Sequence, residues 1–102
     1  MRLKHMLVFG MVAAVQAAAS AAEPGSLGER YASTCASCHG TNGVPLGEVV
    51  PKLAGLSKDE IVTKMREFKQ GKRDATIMHQ IAKGYSDQQI ELVATYFAAQ
   101  KK

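Results

Sequence analysis

The 102 residues of the chain include only two cysteines, and this scarcity excludes several kinds of site. A structural zinc site would need two more soft ligands, which the chain does not supply as cysteines. No alternation of apolar and polar residues predicts a strand near the two thiols, so a thioredoxin-like redox site is not indicated either. Serine, histidine and aspartate are scattered and form no pattern typical of a catalytic triad. The sequence therefore does not predict an enzyme acting by itself.

A hydrophobic run long enough to span a membrane is also missing. The main apolar stretch covers residues 6–19, whereas a membrane-spanning helix needs about 20 residues. Arg2 and Lys4 precede this stretch and small residues follow it, which is the pattern of a secretory signal peptide. We therefore expect residues 1–22 to be a cleaved signal peptide and residues 23–102 to fold as one periplasmic domain. The alternative is a membrane anchor, for which the stretch is short.

Charge gives no support for nucleic-acid binding once the signal peptide is removed. Arg2 and Lys4 leave with it and all 9 acidic residues stay, so the formal net charge falls from +4 to +2. The remaining 80 residues are near the lower limit for a domain that is stabilised by its apolar core alone. Such a small domain usually needs a disulfide, a metal or a cofactor.

The two cysteines lie three positions apart and are followed at once by a histidine, in the stretch Cys35-Ala36-Ser37-Cys38-His39. This spacing is the attachment motif of c-type haem. A turn of helix sets the two sulfurs where they can add across the haem vinyl groups, and the imidazole can bind the iron. We therefore predict one covalent haem c on Cys35 and Cys38, with His39 as the proximal iron ligand. A disulfide between the two cysteines is the alternative, but it gives no reason for the histidine.

Helical patterns dominate the rest of the sequence, so we expect an all-α fold, a small domain wrapped around the haem. Glycine and proline are concentrated in one long loop after the motif. Two serines, each followed three positions later by Glu or Gln, predict helix starts: Ser57 with Glu60 and Ser86 with Gln89. The predicted segments are a helix over 27–37, a loop over 40–57, and helices over 58–70, 75–83 and 87–99.

Two methionines of the mature chain, Met65 and Met78, are candidates for the second iron ligand. Met65 lies on an apolar stripe with Ile61 and Phe68, which is typical of a core residue. Met78 follows a charged stretch and precedes a glycine, as expected for a segment that closes over one face of a haem. His79 is the competing ligand. Neighbouring residues of a helix point about 100° apart, so only one of the two can face the iron.

The order of these features resembles that of the class I c-type cytochromes. Members of that family have an N-terminal helix that ends in Cys-x-x-Cys-His, then a glycine-rich loop and a closing C-terminal helix. The resemblance covers essentially all of residues 23–102. It implies that the first and last helices cross in direct contact. Four residues are placed to form this contact: Gly28, Tyr31, Tyr96 and Phe97.

The same resemblance implies roles for residues outside the motif. Met78 takes the place of the family's distal ligand, and a neutral thioether raises the reduction potential relative to a second histidine. Pro51 matches the proline whose carbonyl accepts the proton of the proximal imidazole, with Pro45 as the competing candidate. Four basic residues are candidates to surround the haem edge and guide an acidic partner, with ordinary solvated charge as the alternative: Lys52, Lys72, Arg73 and Lys83.

A narrower resemblance lies in the stretches 68–78 and 82–90, which are similar to the cytochrome subunit of flavocytochrome c sulfide dehydrogenase. In that family the haem subunit takes electrons from a flavoprotein that oxidises sulfide. The resemblance implies a periplasmic monohaem electron carrier with a flavoprotein partner. The alternative is a free electron shuttle to a terminal oxidase or another redox protein. A haem enzyme or gas sensor is a third class, against which Met78 argues.

Overall fold

The structure, a computed structural model, describes Gly10 and residues 23–102. Apart from Gly10, the predicted signal peptide lies outside the described residues. Within the described part the fold is all-α, as predicted, and contains no strand. None of the helices in this part has the length and apolar character needed to cross a bilayer.

A nearly continuous helical path contains the predicted haem motif. It consists of α1 (Leu27–Ala32), a 3-10 turn (Ser33–Cys35) and α2 (Ala36–His39). The Ser26 hydroxyl begins α1 by accepting a hydrogen bond from the backbone N–H of Glu29 at 3.2 Å. This is the usual contact of an N-cap serine. The helix predicted here is therefore present, and it runs two residues further than expected.

Three more helices follow: α3 (Lys58–Lys69), α4 (Met78–Ala82) and α5 (Asp87–Ala98). Between α2 and α3 the chain is a loop that contains one short 3-10 turn, Thr41–Gly43. The long loop and the two long helices were predicted correctly, with helix ends that differ by one residue.

Serine side chains cap both long helices. Ser86 forms the complete predicted box, because its hydroxyl accepts from the Gln89 N–H at 3.1 Å and the Gln89 side chain accepts from the Ser86 N–H at 2.9 Å. Ser57 accepts from the Glu60 N–H at 3.1 Å, whereas the Glu60 carboxylate binds Lys64 Nζ at 2.8 Å. Each serine cap stabilises its helix by about 1 kcal/mol.

The short helix α4 begins at Met78 rather than near Ala75. Its cap residue, Ile77, has no side-chain oxygen and makes no side-chain capping bond. The Ile77 carbonyl instead accepts hydrogen bonds from the N–H groups of Gln80 and Ile81, at 2.9 and 3.2 Å. Because the first turn starts there, Met78 becomes the first residue of the helix.

The core lies between α1, α3 and α5, and α4 packs on α3. Gly28 of α1 is buried where α1 packs against α5. Phe97 and Tyr96 of α5 are buried and pack edge to face, with 5.3 Å between the ring centroids, and Tyr31 packs half-buried against the same cluster. The predicted contact between the first and last helices is therefore present. The other buried members of the core are Ala32, Ile61, Val62, Met65, Ala82, Ile90, Val93 and Ala94.

Gly43 connects the loop after the motif to α5. Its φ is +80°, and its carbonyl accepts hydrogen bonds from the N–H groups of Leu53 and Ala54 at 2.9 and 3.1 Å. A Cβ at this position would lie 2.8 Å from the Ala54 nitrogen and 2.9 Å from Phe97 Cδ1. Only glycine fits here without displacing its neighbours, so the loop stays close to the last helix.

Candidate haem site

The two cysteines of the motif have different surroundings. Cys35 ends the 3-10 turn and packs half-buried against the core, whereas Cys38 lies exposed in α2. Both are free thiols. Burial raises the pKa of the Cys35 thiol, because removing the thiolate from water disfavours the charged form. Neither sulfur forms a disulfide, so both can form thioether bonds to another group.

His39 is oriented by a backbone carbonyl. Its Nδ1 lies 2.7 Å from the carbonyl oxygen of Pro51, and a carbonyl can only accept, so Nδ1 carries the ring proton and donates it. The lone pair of the neutral ring is then on Nε2, which is the nitrogen left to bind a metal. Pro51 and Pro45 were the two candidates for the proline that accepts the proton of the His39 ring. Pro51 makes this hydrogen bond, whereas Pro45 lines a nearby cavity.

Gly40 turns the chain immediately after His39. Its φ is +82°, and a Cβ there would lie 2.0 Å from the Val44 carbonyl oxygen. A side chain is excluded because the backbone of the loop passes directly against this residue. The tight turn ends α2 at the histidine and returns the loop towards it, which brings the carbonyl of Pro51 into reach.

An open cavity of about 240 Å³ lies beside Cys38. Its other walls come from α2 and from the loop, and they include Leu46 and Val49, which are 106% and 97% exposed. Full exposure of large apolar side chains in a loop is unfavourable unless an apolar partner covers them. The sequence analysis did not name Leu46 and Val49 as site residues. The signal that could have identified them is the presence of large apolar side chains in a glycine-rich loop.

The residues of the motif and of this cavity together fit a haem. Cys38 lines the cavity, whose loop wall is largely apolar. The motif adds the second free thiol, Cys35, and the His39 imidazole with its Nε2 free. Thiols bond to the vinyl groups, imidazole binds iron, and apolar side chains pack on the macrocycle. The donor set and its surroundings therefore match the predicted group.

Met78 lies in a separate element and does not line the cavity beside Cys38. It packs half-buried against the core from the start of α4. Ile81, 37% exposed, lies three positions later and shares its side of the helix, and the cap residue Ile77 is 57% exposed. His79 points about 100° away from Met78, and its Nδ1 is buried without a hydrogen-bond partner among the described residues. Met65 is a core residue, 9% exposed, as its sequence pattern predicted.

The four basic residues named from the sequence fall into two groups. Arg73 is engaged within the chain, because its Nε lies 3.0 Å from a carboxylate oxygen of Glu67 and its guanidinium lies 5.8 Å from the ring centroid of Phe68. All four are exposed to solvent. Among the described residues, three of them form no ion pair: Lys52, Lys72 and Lys83.

Comparison with known proteins gives the following similarities. The family described as "Cytochrome C oxidase, cbb3-type, subunit III" matches residues 22–97. The chain is 43% identical over 72 residues to the cytochrome subunit of sulfide dehydrogenase from Chlorobaculum tepidum, covering 71% of this chain and 64% of that protein. It is 34% identical over 96 residues to cytochrome c4 from Pseudomonas aeruginosa, covering 94% and 46%. It is also 34% identical over 77 residues to cytochrome c-554(548) from Halomonas halodenitrificans, covering 72% and 93%. The chain thus spans less than two thirds of the first two relatives and nearly all of the third.

Proposed function

Because the chain belongs to the class I c-type cytochromes, whose members carry covalently bound haem c, we propose that it is a periplasmic carrier of single electrons. The single observation that carries the proposal is the geometry of the motif. Two free thiols share one helical path with an imidazole oriented by a carbonyl, and one of the thiols, Cys38, lines an open cavity with a largely apolar loop wall. The signal-peptide pattern of residues 1–22 supports the compartment.

Five residues of the chain would hold the haem. Cys35 and Cys38 would form the two thioethers, His39 Nε2 and the Met78 sulfur would bind the iron, and the Pro51 carbonyl would hold the imidazole. When bound, the haem supplies an iron that alternates between the ferrous and ferric states.

The residues of the chain contribute orientation and ligand chemistry to this function. The 2.7 Å hydrogen bond from His39 to Pro51 fixes the ring and its tautomer, and it increases the basicity of the ligating nitrogen. A thioether from Met78 is neutral and favours the reduced metal relative to a second imidazole. The cavity beside Cys38 is open to solvent, so a redox partner can approach the site from that side.

For the partner, we propose a flavoprotein that oxidises sulfide. The support is the 43% identity with a protein named as the cytochrome subunit of sulfide dehydrogenase and the similarity of stretches 68–78 and 82–90 to that family. On this proposal the chain accepts electrons from the flavoprotein and is one subunit of the complex. The chain by itself then performs no chemical conversion.

A free electron shuttle is the second candidate. One observation favours it: the aligned region covers 93% of cytochrome c-554(548), so a relative of this size exists without a long additional segment. The third class, a haem enzyme or gas sensor, needs an open position on the iron. The presence of Met78 at the start of α4 argues against that class.

The experiment that tests these proposals is purification of the native protein from its source, followed by measurement of its size and visible spectrum. The same chain produced alone serves as the size control. We expect c-type haem bands and flavin in a fixed ratio, in a complex larger than the control. A flavin-free monomer with the same haem bands would favour the shuttle and exclude the subunit. Absence of the haem bands would overturn the function itself.

A further inference from the structure

Tyr85 connects two parts of the site that are far apart in sequence. Its hydroxyl lies 2.5 Å from Thr34 Oγ1, in the turn that ends at Cys35. Thr34 already donates its own hydroxyl proton to the carbonyl of Tyr31 at 2.9 Å. The Tyr85 hydroxyl is therefore the donor and Thr34 Oγ1 the acceptor.

Both backbone polar groups of Tyr85, the N–H and the carbonyl, also form hydrogen bonds. Its N–H donates to the carbonyl of Ala82, the last residue of α4, at 3.2 Å, and its carbonyl accepts from Lys69 Nζ of α3 at 2.6 Å. The ring packs half-buried against the core, and Ala82 is fully buried. The C-terminal end of α4 is thus fixed through this tyrosine to α3 and to the helical path that carries Cys35.

The N-terminal end of α4 has weaker support. In the described part of the chain, residues 73–76 take part in no backbone–backbone hydrogen bond, and Ile77 makes no side-chain cap. A five-residue helix has too few internal bonds to be stable alone. The position of Met78 therefore depends on packing of α4 against α3 and on the contacts at the C-terminal end of α4.

We propose that Tyr85 is a positioning residue for the distal ligand: its hydrogen bond to Thr34 holds the α4 segment against the helical path of the thioether cysteines and keeps Met78 on the iron. This rests on the proposed function, in which Met78 is that ligand. Detachment of Met78 then requires α4 to move away from Thr34 and breaks the bond. Removing the bond makes detachment easier without changing either iron ligand.

The test compares Tyr85→Phe with Tyr31→Phe in the haem-loaded protein. Tyr31 is a matched control, because its ring also packs on the core but its hydroxyl has no hydrogen-bond partner among the described residues. Ferric protein is titrated with imidazole, which competes with Met78 for the iron, and the loss of the Met–iron charge-transfer band is followed. We expect Tyr85→Phe to bind imidazole about fivefold more tightly than wild type, the factor for one lost hydrogen bond. Tyr31→Phe should match wild type.

A double-mutant cycle with Thr34→Val separates this role from general stability. In the Thr34→Val background, Tyr85→Phe should have no further effect on imidazole affinity. If Tyr85→Phe lowers the free energy of unfolding but leaves imidazole affinity equal to that of Tyr31→Phe, the positioning role is wrong and Tyr85 is only structural. If wild-type protein shows no Met–iron band at all, the ligand assignment in the proposed function fails, and the positioning role fails with it.

Discussion

The proton on His39 Nδ1 determines which ring nitrogen can bind iron. Since Pro51 offers a carbonyl oxygen at 2.7 Å, the proton stays on Nδ1 and the ring cannot rotate without losing that bond. The cost of losing a buried or half-buried hydrogen bond is about 1 kcal/mol. One contact made by a backbone atom, 12 residues away in sequence, thus defines both the tautomer and the direction of the ligand.

The ligand proposed on the other side of the iron can be tested with two leucine substitutions. Met78→Leu removes the sulfur while keeping similar volume, and Met65→Leu makes the same change at the buried methionine of the core. Such exchanges usually cost less than about 1.5 kcal/mol of stability. We expect Met78→Leu to lose the Met–iron charge-transfer band and to have a lower reduction potential, because the thioether no longer favours the reduced iron. Absorption spectra of the oxidised proteins measure the band.

Met65→Leu should retain the band and nearly the wild-type potential. A Met78→Leu protein that still shows the band would contradict the assignment of Met78. If the band is absent in both wild type and Met78→Leu, His79 becomes the candidate to replace next.

At the scale of elements, the sequence predicts a helix well where a local signal marks its start. The capping box of Ser86 and Gln89 predicts the first residue of α5 correctly, because the box is formed by residues only three positions apart. The start of α4 is predicted three residues early. No side-chain cap marks it, and its position depends on packing of α4 against α3, which no local pattern encodes.

The site residues, like the helix starts, can be predicted where a local pattern marks them. Cys35, Cys38 and His39 are predictable from the sequence because their chemistry depends on spacing within a few residues. The pairing of His39 with Pro51 rather than Pro45 was implied only by family resemblance, since the path of the loop selects between them. The contact of Tyr85 with Thr34 spans 51 positions and has no signature in the sequence.

The loop that carries the site depends on Gly43, and replacing this glycine by alanine tests that dependence. Gly43→Ala combines an unfavourable positive φ with contacts under 3.0 Å to Ala54 and Phe97. Gly71→Ala is the matched control, because Gly71 has a similar φ of +71° and open space around its Cβ position. We expect Gly71→Ala to cost about 1 kcal/mol from backbone strain alone.

Gly43→Ala should cost about 3 kcal/mol, since overpacking adds to the same strain. Denaturant unfolding of the haem-loaded variants, followed by circular dichroism, measures both values. Equal losses at the two positions would show that the close approach of the loop to α5 contributes little to stability.

At the scale of the whole molecule, the apolar surface is only partly buried by the chain itself. Leu46, Val49 and Ile77 are each more than half exposed, although the domain is small. A domain of this size gains little stability from its own core. The haem is therefore expected to act as part of the core, as the small size of the predicted domain already suggested.

Loss of covalent attachment should accordingly unfold the protein. We expect the Cys35→Ala/Cys38→Ala double variant, isolated without haem, to lose most of its helical circular dichroism signal and to show no cooperative unfolding transition. Its free energy of unfolding should be about zero, because the apolar side chains around the site have no partner. The wild-type protein with haem attached is the reference. A haem-free variant that retains a sharp thermal transition would show that the chain alone is sufficient for the fold.

The packing of α1 against α5 also sets an order of events when the chain is made. Gly28 and Ala32 of α1 are buried, and α5, which packs against α1, begins at Asp87, some sixty residues further along the chain. Before α5 packs, Cys35 and Cys38 belong to a helical path that lacks this contact, so both thiols are easier to reach. Joining of the cofactor should therefore precede folding, and the last helix to be synthesised closes the structure around a group already in place.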